Sequence, residues 1–410
     1  MKKKLKYIIT FLLLFLCIQT STLATNVKIN SEAGILVELS TGRILYEKNS
    51  TRQMYPASTT KILTAILVLE NCELTDMVTV RETALANIPN GYVTCNLQVG
   101  EELSVKDLLY ALMIPSANDA AYVLAEHVAG SVDDFSDMMN NKARELGCTN
   151  THFVNPNGIH DEAHYSTAYD LYLIASYCMK NSTFREIVAT TQYTLPATDK
   201  YTSEDRVLNT TNDLIKPNTK GYFKNAIGIK TGYTSKAGNC LVAGSSRDGL
   251  EFIAVVLNGG ITDSGENARY ADSKKLFNYA YDNFTLTKII EKNSFVQSIE
   301  VEKATKETKT LELVIDESIT VVNNKSINMN EVIPEIKLVE NIEAPIAAGQ
   351  KLGTIKYKVD DIEYSANLLA KTEVIRVNYS VYFIIAGIIL FLISFKVFAS
   401  KSRKKHKKRK

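Results

Sequence analysis

The chain has 410 residues, of which 45% are hydrophobic and 9% aromatic, an ordinary mix for a folded protein and long enough for more than one domain. The net charge of +2 is unevenly spread: four lysines fall in the first six residues and eight Lys or Arg in the last ten, so the body without them stands at about −10. A body of that sign is a poor partner for nucleic acid, and the five cysteines after residue 24 include no close pair that would mark a disulfide framework or a zinc site.

Residues 1–24, "MKKKLKYIITFLLLFLCIQTSTLA", run from a basic stretch through an apolar one too short to span a bilayer to small residues at the end. That order is the pattern of a secretory signal peptide. "AGILVELSTGRILYEKN" then reads as two strands around a Ser40-Thr41-Gly42 turn, and the apolar spacing predicts a helix from Ser58 to Leu69. Between about residues 104 and 190 the apolar residues recur at three and four, predicting helices in "SVKDLLYALMI", "NDAAYVLAEHVAG", "DDFSDMMNNKARELG" and "STAYDLYLIASYCMKN". Strands resume in "AIGIKTGY", "NCLVAGSS" and "EFIAVVLNG", with a hairpin turn at Arg247-Asp248-Gly249, and a last helix closes the domain near residue 283.

Strands at both ends of a helical insert imply one sheet built from distant parts of the chain, an α+β domain over residues 25–283. From 284 to about 373 short β-rich runs between charged turns predict a small all-β domain. Residues 379–399, "YSVYFIIAGIILFLISFKVFA", are long and apolar enough to read as a transmembrane helix, and the basic tail 400–410 follows at once. The positive-inside rule puts that tail in the cytoplasm and the rest of the mature chain outside the cell membrane.

Three short patterns occur in order. Ser58 and Lys61 form S-x-x-K at a predicted helix start, which puts Lys61 one turn on, on the same face and within reach of the hydroxyl. The amides and dipole of a helix N-terminus also favour a developing negative charge. Taken alone, the pair is equally a capping serine with a solvated lysine, and Ser402 to Lys405 fits the same pattern in the tail. Ser116-Ala117-Asn118 forms S-x-N at a loop-to-helix junction, a pattern repeated at Ser326-Ile327-Asn328. Lys230-Thr231-Gly232 is the sole K-T-G and sits on a predicted strand, where a lone example would be a strand end with a surface lysine.

Each pattern is weak, but the three in this order match the set used by serine penicillin-binding proteins and class A β-lactamases. The chain resembles the serine-type D-alanyl-D-alanine carboxypeptidases among the low-molecular-weight penicillin-binding proteins. The resemblance runs through "YPASTTKILTAI", "LLYALMIPSANDAAYVLAE", "FVNPNGIHDEAHYSTAYDL" and "GIKTGYTSKAGNCLVA", and it extends to the β-rich domain and the membrane anchor. It implies a β-lactamase/transpeptidase-like domain, an antiparallel sheet with helices on it. It also implies hydrolysis of the terminal D-Ala-D-Ala bond of peptidoglycan stem pentapeptides, inhibition by β-lactams, and no cofactor or metal.

On that resemblance Ser58 attacks the carbonyl of the penultimate D-alanine and Lys61 takes its proton. Ser116 relays a proton to the leaving D-alanine, and Asn118 binds the substrate amide and helps position Lys61. Lys230 and Thr231 receive the terminal carboxylate, Gly232 lets the peptide approach the strand, and the backbone N–H groups of Ser58 and Tyr233 form the oxyanion hole. Tyr233 stands where some members carry a histidine, so any contribution of that side chain is open. For Lys61 to act as a base, burial and a second cation must bring it down from its ordinary value of about 10.4; Ile62, Leu63 and Ile66 offer the dry setting and Lys230 the charge.

Three rival readings exist. A β-lactamase would need a deacylating carboxylate, and "DRVLN" (Asp205 to Asn209) only nearly matches the expected E-x-x-L-N and comes too late in the chain. A membrane-tethered receptor or scaffold, acylated without turnover, would share the same site residues. A metal peptidase is raised by "HDEAH" (His160 to His164), where Asp161 displaces the required glutamate and Pro156 with Gly158 marks a loop, so that Ser166 or Thr167 caps the next helix.

Overall fold

A computed structural model describes residues 27–86, 88–202 and 206–407, so the signal peptide expected over 1–24 lies outside the described residues. The chain forms two compact units that divide between Asp282 and Asn283.

In the first unit Ala33–Glu38 (β1) is buried along its whole length, and Ile44–Lys48 (β2) folds back on it antiparallel. The turn between them is closed by Glu38, whose carboxylate accepts from Ser40 N at 2.9 Å and Thr41 N at 2.8 Å. The chain then makes a tight 3-10 turn over Ala57–Thr60 and enters α1 (Lys61–Asn71). A small antiparallel pair, β3 (Met77–Thr79) and β4 (Glu102–Ser104), flanks the short α2 (Glu82–Ala86). There follow α3 (Val105–Met113), α4 (Asn118–Ala129), α5 (Val132–Glu145), α6 (Ala168–Cys178) and α7 (Ser182–Ala189). Four of these are capped by Ser104, Ser131, Thr167 and Asn181, each accepting a backbone N–H from three residues on; Thr167 is one of the two caps the sequence offered there.

The hairpin of β5 (Gln192–Leu195) and β6 (Arg206–Asn209) leads into β7 (Ala226–Thr234), β8 (Gly238–Arg247) and β9 (Leu250–Gly259), and α8 (Ala268–Asn283) ends the unit. One antiparallel sheet results, in the order β2-β1-β9-β8-β7, so its two ends of sequence meet in its middle. β7 is an edge strand. The β8–β9 turn has both central residues at positive φ, Asp248 at 54° and Gly249 at 81°, the backbone that a two-residue hairpin with right-handed twist requires. α6 packs across β1 and β9, while α8 meets the sheet through Tyr281, whose ring lies 5.1 Å from that of Phe252 and whose hydroxyl bonds Ser245 Oγ at 2.8 Å.

The helix expected from Ser58 starts three residues later. Pro56 and Ala57, the latter at φ 48°, bend the chain so sharply that Ser58 falls in the 3-10 turn and caps nothing. α1 itself has no polar face over its first two turns: Ile62, Leu63, Ala65, Ile66, Leu67 and Val68 are all buried, which makes it a core helix around which the others are arranged.

The second unit is β-rich. β10 (Phe284–Ile290), β11 (Phe295–Glu300), β12 (Thr310–Ile315), β13 (Ile319–Asn324), β14 (Glu335–Leu338), β15 (Lys351–Val359) and β16 (Ile362–Ala370) form a five-stranded sheet, β11-β12-β16-β15-β14, and a β10-β13 pair. Alternate residues such as Leu311, Leu313 and Ile315 fill its own core with Val321, Ile355 and Leu368. The chain ends in α9 (Tyr379–Lys407), whose large apolar side chains, Phe383, Leu390 and Phe391 among them, are exposed. Among the described residues no helix is long and apolar enough to cross a membrane.

A buried ion pair fixes the loop that approaches the site. Glu101, with no exposure, pairs with Arg206 and also accepts from Gln98 N at 2.9 Å and Thr198 Oγ1 at 2.8 Å. Removing one member of such a pair leaves the other charge buried alone. Glu101→Ala is therefore expected to lower stability to urea unfolding by about 3–5 kcal/mol; a loss under about 1 kcal/mol would show that the pair holds nothing.

Candidate active site

The site forms where β7 passes under the 3-10 turn. A Cβ added to Gly232 would lie 3.0 Å from Pro56 O and 3.1 Å from Ser58 N, so a side chain here would push the strand away from the serine. Gly158 makes an even closer approach: at φ +82°, its added Cβ would stand 1.9 Å from Ala57 O. Only glycine fits either place.

Lys61 has no solvent exposure. Its Nζ lies 3.2 Å from Ser58 Oγ, 2.9 Å from Asn118 Oδ1 and 2.9 Å from the carbonyl of Asn157. A neutral amine has two hydrogens and one lone pair, which matches two carbonyl acceptors and one hydroxyl donor. The amide of Asn118 is fixed in this sense because its Nδ2 donates to Val93 O at 2.9 Å, leaving Oδ1 for Lys61. Burial first, and the charge of Lys230 second, hold Lys61 well below the ordinary lysine range, with Asp119 opposing.

Lys230 is itself buried, donates to Thr231 O at 3.2 Å, and is lowered to about 7 by burial and by the nearby Arg269. Thr231 Oγ1 shares a 2.6 Å hydrogen bond with Thr211 Oγ1, and Arg269 Nη1 donates to Gly232 O at 3.2 Å. Ser116 sits at φ 71°, strained for a residue with a side chain, and its buried Oγ has no hydrogen-bond partner among the described residues.

Ser58, Ser116, Asn118, His160, Tyr233 and Lys236 line one cavity of about 580 Å³, within the size usual for a ligand site. Lys61, Lys230, Thr231 and Gly232 stand behind that surface, all buried. Among the described residues no carboxylate lines the cavity. Tyr233 is 63% exposed and borders the opening, and His160 packs edge-on against Tyr55 with ring centres 4.6 Å apart.

The metal-peptidase reading fails on His164. Val154 N donates to its Nδ1 at 3.2 Å, so Nε2 carries the proton and donates to Thr60 Oγ1 at 2.8 Å. Neither nitrogen is left for an ion, and burial holds the ring neutral, with its pKa pushed down to about 3. The "DRVLN" stretch enters β6, which pairs with β5, while Asp205 lies outside the described residues.

A sequence profile described as D-alanyl-D-alanine carboxypeptidase matches residues 19–260, and one described as the C-terminal domain of penicillin-binding protein 5 matches residues 284–376. D-alanyl-D-alanine carboxypeptidase DacF of Bacillus subtilis (strain 168) is 36% identical over 348 residues, 83% of this chain and 84% of the relative. The chain belongs to the D-alanyl-D-alanine carboxypeptidase family. Two solved structures agree with this. Penicillin binding protein 5 from Haemophilus influenzae superposes at TM-score 0.66 and 29% identity, covering 86% of this chain and all of the other. A peptidoglycan synthesis regulatory factor (PBP3) from Streptococcus pneumoniae gives 0.71 and 26%, covering 85% of this chain and all of the other.

Within this carboxypeptidase family site, three contributors carry no motif that sequence reading singled out. Asn157 serves through its backbone carbonyl, Thr211 through a contact with Thr231, and Arg269 from a helix start far along the chain. The turn signal Pro156-Asn157-Gly158 was visible, but the direction of its carbonyl was not.

Lys230 at about 7 has a consequence for pH. It is charged below that value and neutral above, so if Lys230 receives the substrate carboxylate as the resemblance implies, a carboxylate-ended substrate loses its cation as pH rises. The kcat/KM for such a substrate is expected to fall on the alkaline side with an apparent pKa near 7. The fall should be absent from kcat at saturation, since a bound carboxylate keeps Lys230 charged. Lys230→Gln should lower kcat/KM and flatten that limb; an unchanged limb would assign it to another group.

Proposed function

We propose that this protein hydrolyses the terminal D-Ala-D-Ala bond of peptidoglycan stem pentapeptides through an acyl-serine intermediate, releasing D-alanine, and that β-lactams acylate the same serine. The observation that carries this reading is the wholly buried Lys61 amine set 3.2 Å from Ser58 Oγ with two carbonyl acceptors for its hydrogens.

In this reading Ser58 Oγ attacks the carbonyl of the penultimate D-alanine while its proton passes to Lys61 Nζ. The backbone N–H groups of Ser58 and Tyr233 take the oxyanion. Ser116, whose hydroxyl has no hydrogen-bond partner among the described residues, gives its proton to the leaving amine as the C–N bond breaks and takes the proton held on Lys61 in exchange, which leaves Lys61 neutral again. The departing D-alanine carboxylate is held by Lys230 and Thr231, and Asn118 contacts the peptide amide. Water then attacks the ester, its proton returns through Lys61 to Ser58 Oγ, and the shortened peptide leaves. Among the described residues the cavity lining holds no carboxylate, which supports a long-lived β-lactam ester over β-lactamase activity.

The composition of residues 1–24, 379–399 and 400–410 supports export, a C-terminal membrane anchor and a cytoplasmic tail, with the catalytic unit on the outer side.

The full-length protein in detergent is expected to release D-alanine from a defined stem pentapeptide and to be labelled by a fluorescent penicillin. Ser58→Ala should abolish both, and Lys61→Ala should slow acylation by about 10²–10⁴. An unchanged acylation rate in Lys61→Ala would refute the role of the lysine, and labelling without D-alanine release would make the protein a receptor.

A further inference from the structure

Helices α1 and α4 run parallel. Their N-terminal ends meet where Lys61 donates to Asn118, and their C-terminal ends meet at a second, different cluster. There Cys72, the residue that ends α1, faces His127 in the last turn of α4 and Asp76 in the chain before β3. The Cys72 Sγ, a ring nitrogen of His127 and a carboxylate oxygen of Asp76 all lie within 4.8 Å of one another.

None of the three ligating groups is fully used elsewhere. Asp76 spends Oδ2 on Glu73 N at 2.8 Å, and the Cys72 thiol and the His127 ring have no hydrogen-bond partner among the described residues. Three side chains with ligating atoms still available, two from the α1–β3 connection and one from α4, gather within 4.8 Å of one another, and the catalytic cavity does not explain them.

Electrostatics at this point favours a cation. Each helix end carries about half a negative charge, and parallel packing sets two such ends side by side. A bound cation relieves both, together with the charge of Asp76. The donor set narrows the choice: sulfur, imidazole and one carboxylate suit zinc, whereas magnesium and calcium take oxygen alone.

We propose that Cys72, Asp76 and His127 bind a zinc-class divalent ion that ties the C-terminal ends of α1 and α4 together. Binding displaces the thiol proton to solvent, and a water completes the tetrahedron. Metal bonds of about 2.0–2.3 Å place tetrahedral donors roughly 3.3–3.8 Å apart, so these side chains close by at most about 1.5 Å. Asp76 and His127 are exposed and free to do so.

The test uses the full-length protein, reduced and stripped with chelator, titrated with cobalt(II) and then with zinc(II). One equivalent of cobalt should give a thiolate charge-transfer band with tetrahedral visible bands, which zinc then bleaches, and zinc should raise the thermal midpoint. Cys72→Ser should abolish the charge-transfer band, and His127→Ala should weaken zinc binding by more than about tenfold. Both variants should keep the thermal midpoint and penicillin labelling of the metal-free protein, which separates loss of the ion from loss of the fold. No band at micromolar cobalt, or a band that survives Cys72→Ser, overturns the proposal whatever the fate of the carboxypeptidase reading.

Discussion

Complete burial of the Lys61 amine is the constraint on which the rest of the first unit depends. An ammonium with no water around it is strongly disfavoured, and even a neutral amine needs partners for its hydrogens. Those partners come from three places in the chain: the turn at Ser58, the start of α4 at Asn118 and the loop at Asn157. Each must in turn be held. Asn118 is oriented by the carbonyl of Val93, and the segment after Val93 is pinned by the carboxylate of Asp119, which accepts from Cys95 N at 2.9 Å and Leu97 N at 3.1 Å. One buried nitrogen thus fixes the relative positions of α1, α4 and two loops.

The second requirement is closeness. The K-T-G strand and the 155–158 loop both press on the serine turn, and in both the contact residue is a glycine because a Cβ would collide with backbone. The turn absorbs the strain of this crowding: Ala57 at φ 48° is held in a conformation that L-residues rarely adopt, directly before Ser58. Ser116 shows the same feature at φ 71°. Strain of this kind persists where the surroundings over-determine the backbone, and here the surroundings are the ligands of Lys61.

How much of this was legible in the sequence depends on the range of the interaction. The helices announced themselves through local periodicity and caps, as with Thr167 and Asp170, and the β8–β9 hairpin through Asp248-Gly249. The pairing of Ser58 with Lys61 was also local, one turn apart, and so readable even though the α-helix begins only at the lysine. Thr211, Arg269 and Asn157 were not readable. A threonine, an arginine and a backbone carbonyl are unremarkable in sequence, and their roles arise only when β7 is brought beside α8 and the 155–158 loop by the sheet. Gly232 was legible as a residue, but the proximity that demands it, to Pro56 and Ser58, is a tertiary fact.

The order of causes behind the low pKa of Lys61 matters for the proposed reaction. Burial is the larger cause and the charge of Lys230 the smaller. A substrate carboxylate that docks on Lys230 neutralises that charge, which by itself would return some basicity to Lys61. Were the neighbouring cation the main cause, the base would recapture its proton just as the substrate arrived. Because burial is the larger cause, and an occupied cavity excludes still more water, losing the Lys230 charge leaves the main cause of the lowering in place. In the proposed reaction, Lys230 would therefore bind the carboxylate without removing what chiefly keeps Lys61 low.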